Sequence, residues 1–423
     1  MQRLPESNSP PKPTTPMAGT TTCWQAEIDR AIDDRFEQMV EVRRHLHMHP
    51  ELSGEEHQTS LYLYQLLDGE GVTVQLGPEG RGVIADAMLG EQAARIALRA
   101  DIDALRIRDQ KQVEYRSQRD GVLHGCGHDA HTATLLGAIL AIHELGSAGK
   151  LPWPVNWRGI FQPAEETCTG AKEMIEAGAL QGVKAILATH VDPTRRLGTI
   201  GLRSGVLTAN CDAMELTVIG QGGHAARPHE LIDPIAAAAQ LLSSLYMFVP
   251  RATDSLDAVV VSIGQIIAGD NPNVIPEQVQ LYGTLRTLDQ DVRVRTMRHI
   301  EQLARGMAET SGTRMQVRFH QISPSVVNDV ELTALLRQTA GDVLGPDHVE
   351  DIPRPSMGGE DFAYYLAHVP GAMFRLGCTS DQVGGSLLHT PTFDIDERAL
   401  AIGAKILARA AVQWSDPNRV LPA

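Results

Sequence analysis

The chain has 423 residues, 43% hydrophobic and 21% charged, a composition typical of a folded globular protein with more than one domain. Its 37 basic and 52 acidic residues give a net charge of −15 without any long basic run, so nucleic acid and anionic membranes are poor partners. No stretch approaches the roughly 20 consecutive apolar residues of a membrane-spanning helix, and the N-terminus lacks the apolar stretch of a signal peptide, which predicts a cytoplasmic protein.

The first third of the chain predicts alternating helices and strands. Residues 1–22, rich in Pro, Ser and Thr, are expected to form a disordered tail. Apolar residues then recur at spacings of three and four from Ile28 to Val40, which predicts one amphipathic helix that ends before Pro50. Short apolar runs alternate with helical patterns after that, a feature typical of a mainly parallel sheet with helices on both faces. The predicted strands are 94–100, 155–162 and 184–191, and the predicted helices are 132–145 and one after Gly170.

The pattern changes in the segment 208–322 to strand, helix, strand, strand, helix, strand, the order of a ferredoxin-like unit. Helical and strand patterns of the earlier kind then return. We therefore predict an α/β fold: a mainly parallel-sheet di-metal catalytic domain formed by 23–207 and 323–423, with an inserted ferredoxin-like α+β lid domain at 208–322. The predicted lid strands are 211–220, 258–267, 278–286 and 313–320, and its helices are 232–249 and 290–309.

The segment HGCGHDAHTA (124–133) brings a thiol and several imidazoles together. Cys126 and His128 can reach one metal ion, and a bound divalent ion deprotonates a thiol. A helix N-terminus with solvent-facing histidines fits the segment equally well. The five cysteines are odd in number and lack the spacing of a disulfide framework, so we expect them to be reduced.

Two adjacent carboxylates, Glu165 and Glu166, follow a predicted strand in the motif PAEE. Adjacent side chains point in different directions, so one can ligate a metal while the other takes a proton from the attacking water and delivers it to the leaving amine. Taken alone, a pair of solvated surface glutamates is the commoner explanation. Taken individually, His190 can be explained as a buried core residue and His389 as a turn residue.

Position in the fold favours the functional interpretation of these residues. The motifs DID (101–103), PAEE (163–166) and THVD (189–192) each stand where a predicted strand ends, and such ends share one edge of a parallel sheet. The histidine tract in RRHLHMHPEL is interpreted as structural, because alternate residues on a helix diverge. His224, in GGHAARPHE, lies in the predicted lid, where it could approach a substrate or belong to a turn.

Eight motifs between residues 36 and 410 resemble, in the same order, the M20 peptidase family in its amidohydrolase branch, which includes hippurate hydrolase, N-acetyldiaminopimelate deacetylase and the indole-acetyl-amino-acid hydrolases. They are RRHLHMHPEL, LRADIDAL, HGCGHDAHTA, FQPAEE, GGHAARPH, NVIPEQVQLYGTLRT, MGGEDFAYY and LHTPTFD. The resemblance implies hydrolysis of the amide bond of a small-molecule N-acyl amino acid, and a homodimer formed through the lid. An aminopeptidase or dipeptidase, or a non-catalytic binder of acylated amino acids, is the alternative. Arg106 departs from the family pattern, which commonly has Pro there.

The resemblance also implies roles for individual residues. It assigns two divalent metal ions, Mn, Zn, Co or Ni, and makes Glu165 the general acid and base. Asp103 would orient a metal ligand, and His224 would stabilise the oxyanion. Asn273 and Arg286 would contact the substrate's carboxylate, a task that suits a guanidinium. The implied metal ligands are Cys126, His128, Glu166, His190 and His389.

Overall fold

The computed structural model describes residues 23–90 and 94–419, so the predicted tail at 1–22 lies outside the described residues. Two helices, α1 (Trp24–Asp34) and α2 (Phe36–Met48), replace the single helix predicted before Pro50, and that prediction was wrong. The break lies at Arg35, whose φ and ψ of −97° and 3° are not helical. Both helices bury their apolar residues in the same core, so the apolar spacing runs across the break without revealing it.

The elements that precede the inserted unit form most of a central sheet and its covering helices. The predicted strands at 94–100, 155–162 and 184–191 are all present. In chain order these elements are α3 (His57–Gly69), β1 (Thr73–Leu76), β2 (Val83–Ala87), β3 (Arg95–Asp101), α4 (His128–Ser147), β4 (Trp157–Gln162), α5 (Gly170–Glu176), β5 (Val183–Arg196), β6 (Ile200–Leu202) and β7 (Gly205–Val206).

The inserted unit has its own sheet. Its strand order, β10-β12-β8-β13 with every neighbour antiparallel, is that of a ferredoxin-like unit, as predicted. Asp233 and Asp289 cap its two helices by accepting backbone N–H bonds, and both helices pack on one face of the sheet. The elements are β8 (Asn210–Ile219), β9 (Gly223–His224), α6 (Pro234–Ala252), β10 (Val259–Ala268), β11 (Val274–Ile275), β12 (Gln278–Thr287), α7 (Gln290–Ser311) and β13 (Arg314–Ser323).

The chain then returns to the central sheet. That sheet has the order β1-β2-β4-β3-β5-β16-β6-β15, and the pairs β4-β3, β3-β5, β5-β16 and β6-β15 are parallel. The α/β fold with a mostly parallel sheet is therefore confirmed, whereas the exact domain boundaries remain predictions. The last elements are β14 (Val327–Asn328), α8 (Val330–Leu344), β15 (Val349–Asp351), α9 (Ala363–Leu366), β16 (Gly371–Thr379) and α10 (Arg398–Trp414).

Side chains that alternate along each central strand enter two separate cores. In β5, Leu187 packs into the core formed with α1, α2, α4 and α10, while Ile186 and Ala188 pack into the core formed with α5 and α9. The central strands are thus covered on both faces, and polar side chains collect where the strands end. Among the helices of the described ranges, none has the length and apolar character needed to cross a bilayer.

Candidate metal centre and active site

The predicted site residues are carried by neighbouring ends of β3, β4 and β5. Asp101, the last residue of β3, pairs with Gln162, the last residue of β4, and the PAEE segment follows immediately. The strand that carries His190 was predicted to end at residue 191, and that prediction was wrong: β5 continues to Arg196. The strand is longer because it keeps pairing with β16 beyond the end of β3, and His190 still lies level with that end.

The N-terminus of α4 presents Cys126 and His128 toward the same edge of the sheet. Gly127 between them has φ +84°, and a Cβ there would lie 2.4 Å from Val191 Cγ2, so only glycine fits. His389 reaches the same place from the C-terminal part of the chain, because its backbone N–H donates to the Gly125 carbonyl at 2.7 Å. Cys126 and His128 are buried, and the His389 side chain is half exposed.

The five predicted metal ligands converge. Cys126 Sγ lies 3.5 Å from His190 Nε2, and Glu166 Oε1 lies 3.9 Å from His128 Nε2 and 3.4 Å from His389 Nε2. Two triplets can be drawn, each with donor atoms within 4.8 Å of one another, and both contain Cys126. The triplets are Cys126, His128, His190 and Cys126, Glu166, His389.

This donor set fits divalent metal ions. Ligand bonds of about 2.0 to 2.3 Å in a tetrahedral arrangement place donor atoms about 3.3 to 3.6 Å apart. The Cys126–His190 and Glu166–His389 separations of 3.5 and 3.4 Å fall in that range, and the His128–Glu166 separation of 3.9 Å is slightly longer. His128 Nε2 and Glu166 Oε1 are buried without a hydrogen-bond partner among the described residues, a costly condition that a cation would relieve. Cys126 belongs to both triplets, so it would contribute a ligand to either group.

Neighbouring groups orient two of the imidazoles. His128 Nδ1 lies 3.0 Å from Asp103 Oδ1 and 2.9 Å from the Asp103 carbonyl, so Nδ1 carries the proton and Nε2 faces the cluster. His190 Nδ1 donates to the Val191 carbonyl at 2.7 Å, which likewise turns Nε2 toward Cys126. Asp103 therefore lies beside His128, the residue that it was predicted to orient, and its role in metal binding stays a prediction.

Burial and neighbouring charges shift the pKa values of two candidate ligands, Cys126 and His128. Burial raises the pKa of the Cys126 thiol to about 12, so a thiolate there needs an adjacent cation. Burial lowers the pKa of His128, but Asp101 and Cys126 outweigh burial and the net shift of that pKa is upward. Metal binding at these atoms would therefore release protons.

Glu165 lies between the candidate metal donors and a buried group of carboxylates, with its Oε2 4.0 Å from His128 Nε2. It is 7% exposed, and its Oε1 accepts the backbone N–H of Asp361 at 3.4 Å. Burial raises the pKa of Glu165 well above its ordinary value, and Glu360 and Asp361 raise it further, while His128 opposes them. A carboxyl group in this setting can hold a proton near neutral pH.

A buried arginine, Arg99, balances these carboxylates, and sequence reasoning missed it. Its guanidinium lies 2.8 Å from Asp101 Oδ2, 2.9 Å from Asp361 Oδ1 and 3.3 Å from Glu360 Oε1. The motif MGGEDF contained Glu360 and Asp361, but nothing in it indicated their partner.

His131 was also missed as an organising residue. Its Nδ1 lies 2.6 Å from Asp101 Oδ1, and its Nε2 accepts the backbone N–H of Val191 at 2.9 Å. Both ring nitrogens are therefore engaged, and His131 fixes the backbone beside His190 instead of offering a free ligand atom. The repeated histidines of HGCGHDAHTA were the available signal.

The predicted substrate contacts are not all brought to the cluster. His224 is exposed on the two-stranded ribbon β9-β11, beside Asn273, whose carbonyl accepts the Ala225 N–H at 3.0 Å. No hydrogen bond or ion pair among the described residues joins either side chain to the metal donors. Arg286 lies nearer: its Nη1 donates to the Met357 carbonyl at 2.8 Å, in the segment that leads to Glu360.

Comparison with known proteins decides the family. The sequence model of peptidase family M20/M25/M40 matches residues 97–413. The chain belongs to the M20 peptidase family. This M20 chain is 39% identical over 386 residues to the N-acetylcysteine deacetylase of Bacillus subtilis, covering 91% of this chain and 98% of that protein. It is 35% identical over 389 residues to an IAA-amino acid hydrolase of Arabidopsis thaliana, covering 90% and 87%.

A solved M20 structure supports the fold and the metal centre. A Bacillus subtilis protein described as a dinuclear metal binding peptidase from the M20 family matches with a TM-score of 0.76 and 34% identity, over 90% of this chain and 99% of that one. The predicted class is confirmed: this M20 protein is a metal-dependent amide hydrolase.

Proposed function

We propose that this M20 enzyme hydrolyses small N-acyl amino acids, with acetyl, benzoyl or aryl-acetyl groups, to a carboxylic acid and a free amino acid. The observation that carries the proposal is the convergence of five metal donors beside a buried carboxyl group, Glu165. The relatives named for deacetylation of N-acetylcysteine and hydrolysis of IAA-amino acids support an acylated amino acid as the substrate class.

The proposed cofactor is a pair of divalent ions, Mn, Zn, Co or Ni. Their ligands would be Cys126, His128, Glu166, His190 and His389, with Asp103 orienting His128. When bound, such ions polarise a carbonyl and lower the pKa of water toward about 7. The mixture of thiolate, imidazole and carboxylate donors suits all four metals.

Glu165 is the proposed proton carrier. Its carboxylate takes the proton of the attacking water and delivers it to the departing nitrogen, a contribution typically worth about 10² to 10⁴ in rate. Its neighbours Glu360 and Asp361 favour the protonated state that follows the first transfer, because a second negative charge beside them is unfavourable. Arg99 keeps this group of carboxylates from being an uncompensated buried charge.

Arg286 is the proposed site for the carboxylate of the amino acid. It is half-buried between the inserted unit and the central sheet, where Nη1 contacts the Met357 carbonyl and Cys211 Sγ. Among the described residues no carboxylate forms an ion pair with it. Such a guanidinium fits a carboxylate ligand, which it can bind through two parallel hydrogen bonds.

His224 and Asn273 are proposed to act only when the inserted unit closes over the substrate. His224 Nδ1 accepts the Ala226 N–H at 3.2 Å, which leaves Nε2 to donate toward an oxyanion. A donor of this kind is worth about 3 to 4 kcal/mol in the transition state. Asn273 lies immediately before the paired strand β11 and would add a contact to the substrate's carboxylate.

A matched substrate panel tests this function. Acetyl, benzoyl, indole-acetyl and aminobenzoyl conjugates are compared with dipeptides of the same amino acids, each with added Mn, Zn, Co or Ni. We expect hydrolysis of the acylated compounds. Turnover of dipeptides alone would indicate an aminopeptidase, and saturable binding without product would indicate a binding protein.

The carboxylate contact has its own test. Wild-type enzyme should prefer an N-acyl amino acid to the corresponding N-acyl amino acid amide, and Arg286→Met should lose that preference through an increase in KM. An Arg286→Met enzyme that discriminates as well as the wild type would remove Arg286 from the substrate site.

A further inference from the structure

The two glutamates of the site stand on a turn with an unfavourable backbone. Ala164, immediately before Glu165, has φ +52°, and Cys168 has φ +55°. Left-handed backbone is disfavoured for residues with a Cβ, so it persists only where surrounding contacts enforce it. Ala164 is 1% exposed, and any partner of its backbone must come from the protein interior.

One such contact comes from Glu56, at the start of α3. The backbone N–H of Ala164 donates to Glu56 Oε1 at 2.7 Å. Glu56 is itself 0% exposed, and its other oxygen lies 3.8 Å from Arg81 Nη1, which restricts the rotation of the carboxylate. Because this buried carboxylate cannot move freely, it restrains the position of the turn.

A second contact reaches the same turn from the same segment of the chain. Ser53 Oγ donates to Asp103 Oδ2 at 2.7 Å, and that oxygen also accepts the backbone N–H of Glu166 at 3.0 Å. The carbonyl of Glu51 accepts the Ala104 N–H at 2.8 Å, which ties the segment to the strand end. Residues 51–56 therefore hold the turn at two successive points.

We propose that Glu56 is a positioning residue for hydrolysis. Its carboxylate holds Ala164 in the left-handed conformation and thereby fixes the directions of Glu165 and Glu166. Glu56 touches neither substrate nor metal donor, so it acts through the turn alone. The inference rests on the proposed function, since it takes Glu165 as the proton carrier and Glu166 as a metal ligand.

Two substitutions of nearly equal size test whether the hydrogen-bond acceptor or the volume of the Glu56 side chain is required. Glu56→Gln retains an oxygen for the Ala164 N–H, and most of the wild-type kcat should remain. Glu56→Met fills the same space without an acceptor, and kcat should fall about 100-fold, the loss typical of a misplaced catalytic group. KM should change little, because the substrate contacts lie elsewhere.

Rescue by glycine tests the role of the backbone. Glycine adopts positive φ without steric cost, so Glu56→Met combined with Ala164→Gly should recover part of the lost kcat. Any of three results would overturn the proposal. Glu56→Met could keep the wild-type kcat, Glu56→Gln and Glu56→Met could lose kcat equally, or the double variant could show no recovery.

Asn156 provides a matched control at the opposite end of β4 from the turn. Its buried Oδ1 accepts the backbone N–H of Gly90 at 2.9 Å, a contact of the same kind that does not involve the turn. Asn156→Leu should lower the melting temperature and leave kcat near the wild-type value. An equal loss of kcat in Asn156→Leu would show that general destabilisation explains the Glu56 variants.

Glu165→Gln separates this proposal from the function on which it rests. If Glu165→Gln turns over normally, the assignment of the proton carrier fails. If Glu165→Gln is inactive while Glu56→Met retains full kcat, only the positioning role fails.

Discussion

Replacing Asp103 with asparagine should weaken metal binding without removing any proposed ligand. Oδ1 of Asp103 faces His128 Nδ1 at 3.0 Å, and Oδ2 accepts from Ser53 Oγ at 2.7 Å and from the Glu166 N–H at 3.0 Å. Both oxygens therefore face donors. An amide has one oxygen and one NH₂ group, so one side of the asparagine must place a donor against a donor.

Either orientation of the amide disturbs a proposed ligand. If the NH₂ group faces His128, the amide N–H is placed against the ring N–H, and Nδ1 keeps only the Asp103 carbonyl as its acceptor. If it faces the turn, the Glu166 N–H loses its partner and Glu166 loses its fixed position. Substitution of such an orienting group costs about 10- to 100-fold in metal affinity, or about 1.4 to 2.8 kcal/mol.

The measurement is competition for Mn²⁺ or Zn²⁺ between the enzyme and a chelator of known affinity. Asp109→Asn is the matched control, because Asp109 is also buried and accepts the backbone N–H groups of Lys111 and Ser117 at 2.9 and 3.0 Å. That control should bind metal like the wild type. Unchanged affinity in Asp103→Asn, or equal losses in the two variants, would refute the reasoning.

Three further predictions concern the proton carrier, acid stability and assembly. Glu165→Gln should lower kcat at least about 100-fold while the metal content per chain, found by elemental analysis, stays constant; near-normal turnover would contradict the role. Burial lowers the pKa of His124 from 6.5 to about 4, so the contribution of His124 to the free energy of unfolding should fall by about 3 kcal/mol as pH drops across that interval and stay level below it. His124→Leu should flatten the same part of a urea-unfolding profile, and parallel profiles would exclude the effect. The edge strand β10 exposes Ile266 and Ile267, so we expect a homodimer by light scattering that Ile266→Lys dissociates; a monomeric wild type would rule the dimer out.

The strand and helix pattern was predictable because it depends on local periodicity. The two core faces of β5 follow directly from the alternation of Ile186, Leu187 and Ala188. Two local details were not predictable. Arg35 breaks a helix whose apolar spacing continues unchanged, and β5 extends past His190 because of a partner strand that appears much later in the chain.

The convergence of the proposed metal ligands could be predicted because their residue types and their places near strand ends restrict what they can do. Arg99 was not identifiable in the same way. It stands in an apolar run, and its ion pair with Asp361 joins residues 262 positions apart. The sequence does not indicate which distant carboxylate pairs with an arginine inside a strand. The buried guanidinium of Arg99 nevertheless influences the electrostatics around Glu165.

The residues proposed for catalysis and those proposed for substrate recognition lie on different parts of the fold. The proposed metal ligands and Glu165 lie around the central sheet, where buried contacts such as Asp103 with His128 and Arg99 with Asp361 restrict movement. His224 stands on an exposed two-stranded ribbon of the inserted unit, and Asn273 lies immediately before one of its strands. If the proposed roles hold, changes in this ribbon and its neighbouring loops can alter substrate preference while leaving the metal centre undisturbed. Substitutions in the ribbon should therefore change KM and substrate preference while the metal content stays constant.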